Sequence, residues 1–69
     1  MAYIEITWRN CEAKKSHERI LCDTMSEAER VSRNIVRCYL DDLVSVRIHA
    51  AKAIGVGPLV KEVFSREIA

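Results

Sequence analysis

Sixty-nine residues and 7.9 kDa leave room for one domain, and a chain this short buries a smaller share of its surface than a larger one, so a homodimer is a natural route to extra stability. Hydrophobic residues at 49% and charged residues at 30% exclude a disordered chain, while 11 Lys+Arg against 10 Asp+Glu leave a net charge of +1. That balance excludes a global field steering the protein to nucleic acid or an anionic membrane, and confines any such binding to a local patch. No apolar run approaches the roughly 20 residues of a membrane span, so a membrane partner is not expected. Met1 to Glu5 lacks the charged and apolar regions of a signal peptide, and the chain reads as cytoplasmic.

Tyr3 to Arg9 alternates strictly, with Ile4, Ile6 and Trp8 on one face and Tyr3, Glu5, Thr7 and Arg9 on the other, the pattern of a half-buried strand. Asn10 to His17 loses the alternation and reads as an exposed hairpin connection with Lys14 and Lys15 at its tip. Glu18 to Asp23 follows as a second strand, Ile20 and Cys22 inward, Arg19 and Leu21 outward.

Thr24 to Leu40 predicts an amphipathic helix opened by the capping box Thr24/Glu27. Ala28, Val31, Ile35 and Tyr39 recur at helical spacing toward a core, with Met25, Ser32 and Val36 on the margins, and Arg30, Arg33 and Arg37 point the other way. Glu27, Glu29 and Asp41 stand three or four residues from those arginines and are expected to partner them. Asp41-Asp42 turns the chain into Leu43 to His49, a third strand with Val44, Val46 and Ile48 inward and Ser45, Arg47 and His49 outward.

The order β-β-α-β predicts an α+β fold, one helix covering one face of a small antiparallel or mixed sheet, with the third strand beside the first or the second. Beyond Ala50 the pattern is two-sided. Gly57-Pro58 fits the N-cap and first position of a C-terminal helix over Leu59 to Ile68, with Glu62 and Arg66 as an i, i+4 pair. A fourth strand from Leu59 to Ser65 is the alternative, but the doublets Leu59-Val60 and Val63-Phe64 break the alternation, and the helix is preferred. Residues 50–69 would then be the part of the domain that could form a separable appendage.

Chemistry finds little to assemble. There is no G-x-S-x-G, no H-E-x-x-H and no phosphate-binding glycine loop, and Gly55 and Gly57 are the two glycines. Cys11 with His17 offers a thiol and a base on one loop, and Cys11, His17, Cys22 and Cys38 are zinc-type ligands, but their spacing lacks the tight knuckle of structural sites. Three cysteines without framework spacing read as reduced thiols, Cys22 and Cys38 as small packed hydrophobes. Neither an enzyme nor a cofactor or metal is expected. Two surfaces suit a partner: the arginines 30, 33 and 37 of the helix, and the outer sheet face with Tyr3, Arg9, Arg19, Arg47 and His49. Either fits an acidic protein, with a small nucleic-acid-binding domain as the alternative.

In this succession, strand Tyr3 to Trp8, strand Arg19 to Cys22, capped helix Thr24-Met25-Ser26-Glu27-Ala28-Glu29 and strand Val44 to Ile48, the chain resembles several small phage-encoded inhibitors. Among these are some small anti-CRISPR proteins and a phage inhibitor of host RNA polymerase. The likeness lies in layout and size over roughly the first 50 residues. It implies a non-enzymatic protein that occupies a charged surface of a host complex in the host cytoplasm. The tail from Ala50 departs from that layout, and a net charge of +1 lacks the acidity of a nucleic-acid mimic, so contact through the arginines is the form the likeness favours.

Overall fold

Alternating strands need partners on both edges and cover on one face, and the chain supplies them in the order β1 (Ala2–Trp8), β2 (His17–Cys22), α1 (Met25–Tyr39), a 3-10 turn (Leu40–Asp42), β3 (Leu43–Ala51) and β4 (Val56–Ser65). The computed structural model of the protein describes residues 1–9, 17–51 and 56–67. The strands form one antiparallel sheet ordered β2-β1-β3-β4, so the first strand in sequence lies between the second and the third. Strands β2 and β3 therefore run the same way on either side of β1, joined by α1 crossing one face.

The capping box forms. Thr24 is extended (φ −131°, ψ 159°) and its Oγ1 accepts from the Glu27 N–H at 3.1 Å. The Glu27 carboxylate reaches one residue further back than Thr24, accepting from the Asp23 N–H at 3.4 Å. At the other end of α1 the orphan carbonyls find an arginine from far along the chain: Arg66 donates from Nη2 to Leu40 O at 2.9 Å and from Nη1 to Asp41 O at 3.5 Å. The Arg66 backbone N–H donates to Val44 O at 2.9 Å, and its guanidinium carbon lies 5.4 Å from the centre of the Phe64 ring.

The core is the layer between α1 and the sheet. Ala2, Ile4, Ile6, Cys22, Ala28, Leu43, Val46 and Ile48 are fully or almost fully buried, with Trp8, Ile20, Val31, Ile35 and Phe64 packed around them. The helix seats on small residues: Ala28 and Ser32 are wholly buried, whereas Val31 and Ile35 are half-buried flanks. The Ser32 hydroxyl has no hydrogen-bond partner, so its size rather than its polarity suits the seat.

Three core assignments differ from the sequence pattern, and the simplest is Cys38, expected as a packed hydrophobe but exposed in the last turn of α1 beside Arg37. Tyr39, the last residue of α1, is 51% exposed, and its ring packs at right angles to that of Trp8, the last residue of β1, with 5.6 Å between centroids, at the margin of the core layer. Leu43, not Val44, is the buried end of β3. The β1/β3 register passes from Thr7↔Ser45 to Trp8↔Leu43, so Val44 is an extra residue and Leu43 takes the inward place beside Trp8.

The larger correction concerns the tail. The expected C-terminal helix over Leu59 to Ile68 is not formed; the segment is the fourth strand, antiparallel to β3 from Val56 to Ser65. The ten residues of β4 oppose seven of β3, Ser45 to Ala51, so three are extra, and the register shifts at three places. Val60 and Val63 are two of these extra residues, and the third lies at Gly57-Pro58. The apolar doublets that spoil a two-residue alternation are the bulge sites. A strand with an extra residue every third position repeats its apolar residues at nearly helical spacing, which is why the pattern reads as a helix. Pro58 sits on this edge strand, where a missing N–H leaves no ladder gap, and Gly57 passes so close to Ala50 that any Cβ would fall on the Ala50 carbonyl oxygen.

Candidate interaction surfaces

The helix places its three arginines as expected: Arg30, Arg33 and Arg37 are all exposed on the side of α1 turned from the sheet. Two of their expected carboxylate partners are engaged elsewhere: Glu27 caps the helix, and Glu29 Oε1 lies 3.2 Å from Lys61 Nζ on β4. Among the described residues none of the ion pairs within 4.0 Å includes Arg30, Arg33 or Arg37; Arg37 donates to Asn34 Oδ1 at 3.0 Å. From Arg30 to Arg37 the stripe spans about 10 Å of helix axis.

The outer sheet face is arranged differently. Antiparallel register lines its residues into three rows across all four strands. One row is Arg19, Glu5, Arg47, Glu62, alternating in sign, with Arg19 Nε 3.8 Å from Glu5 Oε2 and Arg47 Nε donating to Glu62 Oε2 at 3.1 Å. The next is Leu21, Tyr3, His49, Leu59. Here the Tyr3 and His49 rings stack at 4.9 Å with 4° between planes, Arg19 lies 5.7 Å above the Tyr3 ring, and the leucines stand 62% and 53% exposed at the two edges. The third row is His17, Thr7, Ser45, Ser65, in which Thr7 Oγ1 and His17 Nδ1 are 3.3 Å apart.

Of the residues that the sequence places on this face, Arg19, Arg47, His49 and Tyr3 are brought together, and Arg9 lies beyond the end of β1, its N–H donating to Asp42 O at 2.7 Å. Tyr3 is only 8% exposed, so its ring is the floor of the face and not a platform for stacking a base. His49 is likewise recessed. Its Nδ1 lies 3.3 Å from Gly57 O and its Nε2 3.5 Å from Glu5 Oε1, without a hydrogen bond to the latter. Both arginines of the face have glutamate partners, which leaves the face with no net charge. Outward alternation made Glu5, Arg19 and Arg47 visible in the sequence; their pairing, and the place of Glu62 beside Arg47, depend on register, which alternation alone does not set.

Groups for bond chemistry are sparse. Cys11, and with it the proposed pairing with His17, lies outside the described residues. His17 meets a threonine hydroxyl, and Glu18 is taken by the Trp8 Nε1–H at 3.0 Å. Among the described residues no three His, Cys, Asp or Glu side chains converge on a point where a metal could sit, and no helix is long and apolar enough to cross a membrane.

The two described cysteines are free thiols with opposite surroundings. Cys38 is exposed, whereas burial, reinforced by the Glu27 and Asp23 carboxylates, pushes the Cys22 thiol above its ordinary value. A raised pKa means less thiolate at a given pH, and thiolate is the nucleophile. Iodoacetamide at pH 8 is therefore expected to alkylate Cys38 at least about 100-fold faster than Cys22 in the folded protein, the two rates converging on unfolding. Equal rates in peptide maps of the native protein would mean that β2 and the start of α1 are not closed over the thiol.

Compared with known proteins, the chain matches no family model, no curated protein and no solved structure.

Proposed function

We propose that this chain is a non-enzymatic binding module that docks on an acidic surface of a protein partner through Arg30, Arg33 and Arg37. The observation that carries the reading is that these three guanidinium groups are exposed in a row and that, among the described residues, none of the ion pairs includes them, with Glu27 and Glu29 turned to the helix cap and to Lys61. Three charges borne by one formed helix need no backbone ordering on docking, and arginine's planar fork suits paired carboxylates better than lysine's point charge. The layout shared with small phage-encoded inhibitors supplies the kind of partner, a host protein complex blocked by occupation of its surface.

Affinity capture from host lysate, with and without nuclease, tests the reading together with the double substitution Arg33→Glu/Arg37→Glu. A stoichiometric protein that survives nuclease, and whose affinity falls at least about 100-fold with the double variant while circular dichroism is unchanged, is the expected result. Nucleic acid in its place, lost on nuclease, would hand the stripe to phosphates and to the alternative reading of a small nucleic-acid-binding domain. Protein capture indifferent to the reversal would remove the helix as the docking surface.

A further inference from the structure

We propose that the open face of the sheet is a self-docking surface, on which a second copy of this chain seats about a two-fold axis parallel to the strands and midway between β1 and β3. Such a rotation reverses the strand order while leaving each row in place, so β2 faces the partner's β4 and β1 faces the partner's β3. The charged row then meets itself with every sign opposed: Arg19 over the partner's Glu62, Glu5 over the partner's Arg47, and the reciprocal pairs. In the neighbouring row Leu21 meets the partner's Leu59 on either side of the recessed Tyr3 and His49. In the third row Thr7 meets the partner's Ser45 and His17 the partner's Ser65.

A row that alternates in sign across four strands is a poor seat for a uniformly charged ligand, whether nucleic acid or an acidic peptide, because attraction at one strand is offset by repulsion at the next. It is a good seat for the same row inverted, and symmetry guarantees that a second copy presents one at the same strand spacing. Packed sheets cross at about 30°, which displaces the outermost pairs by about one residue step, within reach of arginine and glutamate side chains. The outer groups of the contact are exposed, Arg19 61%, Arg47 42% and Glu62 44% as side chains, with Leu21 and Leu59 at 62% and 53%, while Glu5 at 27% and Ser45 at 6% lie lower in the face and would be met by the longer side chains above them. The face also lies opposite α1, so self-docking leaves the arginine stripe free and does not depend on its role.

Four strands and about five residues along each give a face of roughly 19 by 17 Å, smaller than the ~800 Å² per partner of a stable complex, so the dimer is a weak one, with a dissociation constant expected on the order of 10–100 μM. In sedimentation velocity the mass is expected to rise from monomer toward dimer between about 5 and about 500 μM. Leu21→Lys and Leu59→Glu should each raise the dissociation constant at least about tenfold, and the two together should bring it back, because the introduced charges then oppose one another across the axis. Within one chain the two positions are three strand spacings apart, about 14 Å, so the rescue cannot arise inside a monomer. Both leucines are exposed, and unchanged circular dichroism will show that the variants fold. A monomer at every concentration, a dimer indifferent to either single change, or a double variant no better than the worse single one would each overturn the proposal.

Discussion

Replacing Gly57 with alanine is expected to unfasten β4 from β3 and lower the melting temperature by about 15 °C, the equivalent of about 3 kcal/mol in a domain this small. The alanine Cβ would occupy the position of the Ala50 carbonyl oxygen, and backbone, unlike the end of a flexible side chain, cannot turn aside. The strand must move out by more than an ångström. That movement also disturbs the contact between His49 Nδ1 and the Gly57 carbonyl, and strains the neighbouring bulges. A thermal scan checks the direction, and amide exchange checks the place: protection should fall first along β4 and the β3 edge facing it, while the β1–β2 pair keeps its protection. A melting temperature within a few degrees of the parent would mean that β4 floats on β3 and that the close approach at Gly57 carries no constraint.

Truncating Ile4 to alanine is expected to cost about 3 kcal/mol, a large part of the roughly 3–10 kcal/mol a chain of this length commands. Ile4 is wholly buried and opposes Ile20 on one side and Ile48 on the other, in the cluster that also holds Ala28 of the helix. The cavity would open within the core layer between helix and sheet, where close packing lets neighbouring side chains collapse into it only in part. Chemical denaturation should show the midpoint falling with the slope unchanged, which is the sign of a weaker fold of the same size. The same truncation at Leu59, half exposed on the outer face, should leave the midpoint within about 0.5 kcal/mol of the parent.

Physical signals of different range explain which parts of this molecule can be read from its residues. The capping box at Thr24 and Glu27 is written in four consecutive residues, and the faces of β1 and β2 in six or seven, so they survive into the structure nearly unchanged. Strand β4 is illegible for the opposite reason. Its bulges are a relation between two strands, and along one strand they only blur a period of two into something close to a helix turn. The exchange of Val44 for Leu43 in the core has the same origin. Charges show the split again: that Arg30, Arg33 and Arg37 share a face is local information, but that Glu29 is drawn off by Lys61, 32 residues away, is not. The sign-alternating row Arg19, Glu5, Arg47, Glu62 needs four strands in register before it exists.

The central place of β1 has a consequence for how the chain assembles. The strand made first cannot be completed by its neighbour in sequence alone, because its second edge waits for β3, and Ile4 meets Ile48 only across most of the chain. Two hairpins, β1–β2 and β3–β4, can each close over short loops at small entropic cost, but neither owns a core. The core appears when β1 is laid against β3 beneath α1, so the seam between the first and third strands is where chain entropy is lost and apolar burial is gained in a single event. Stability in this protein is therefore a property of that seam, and the edges can vary, bulge and bind without reopening it.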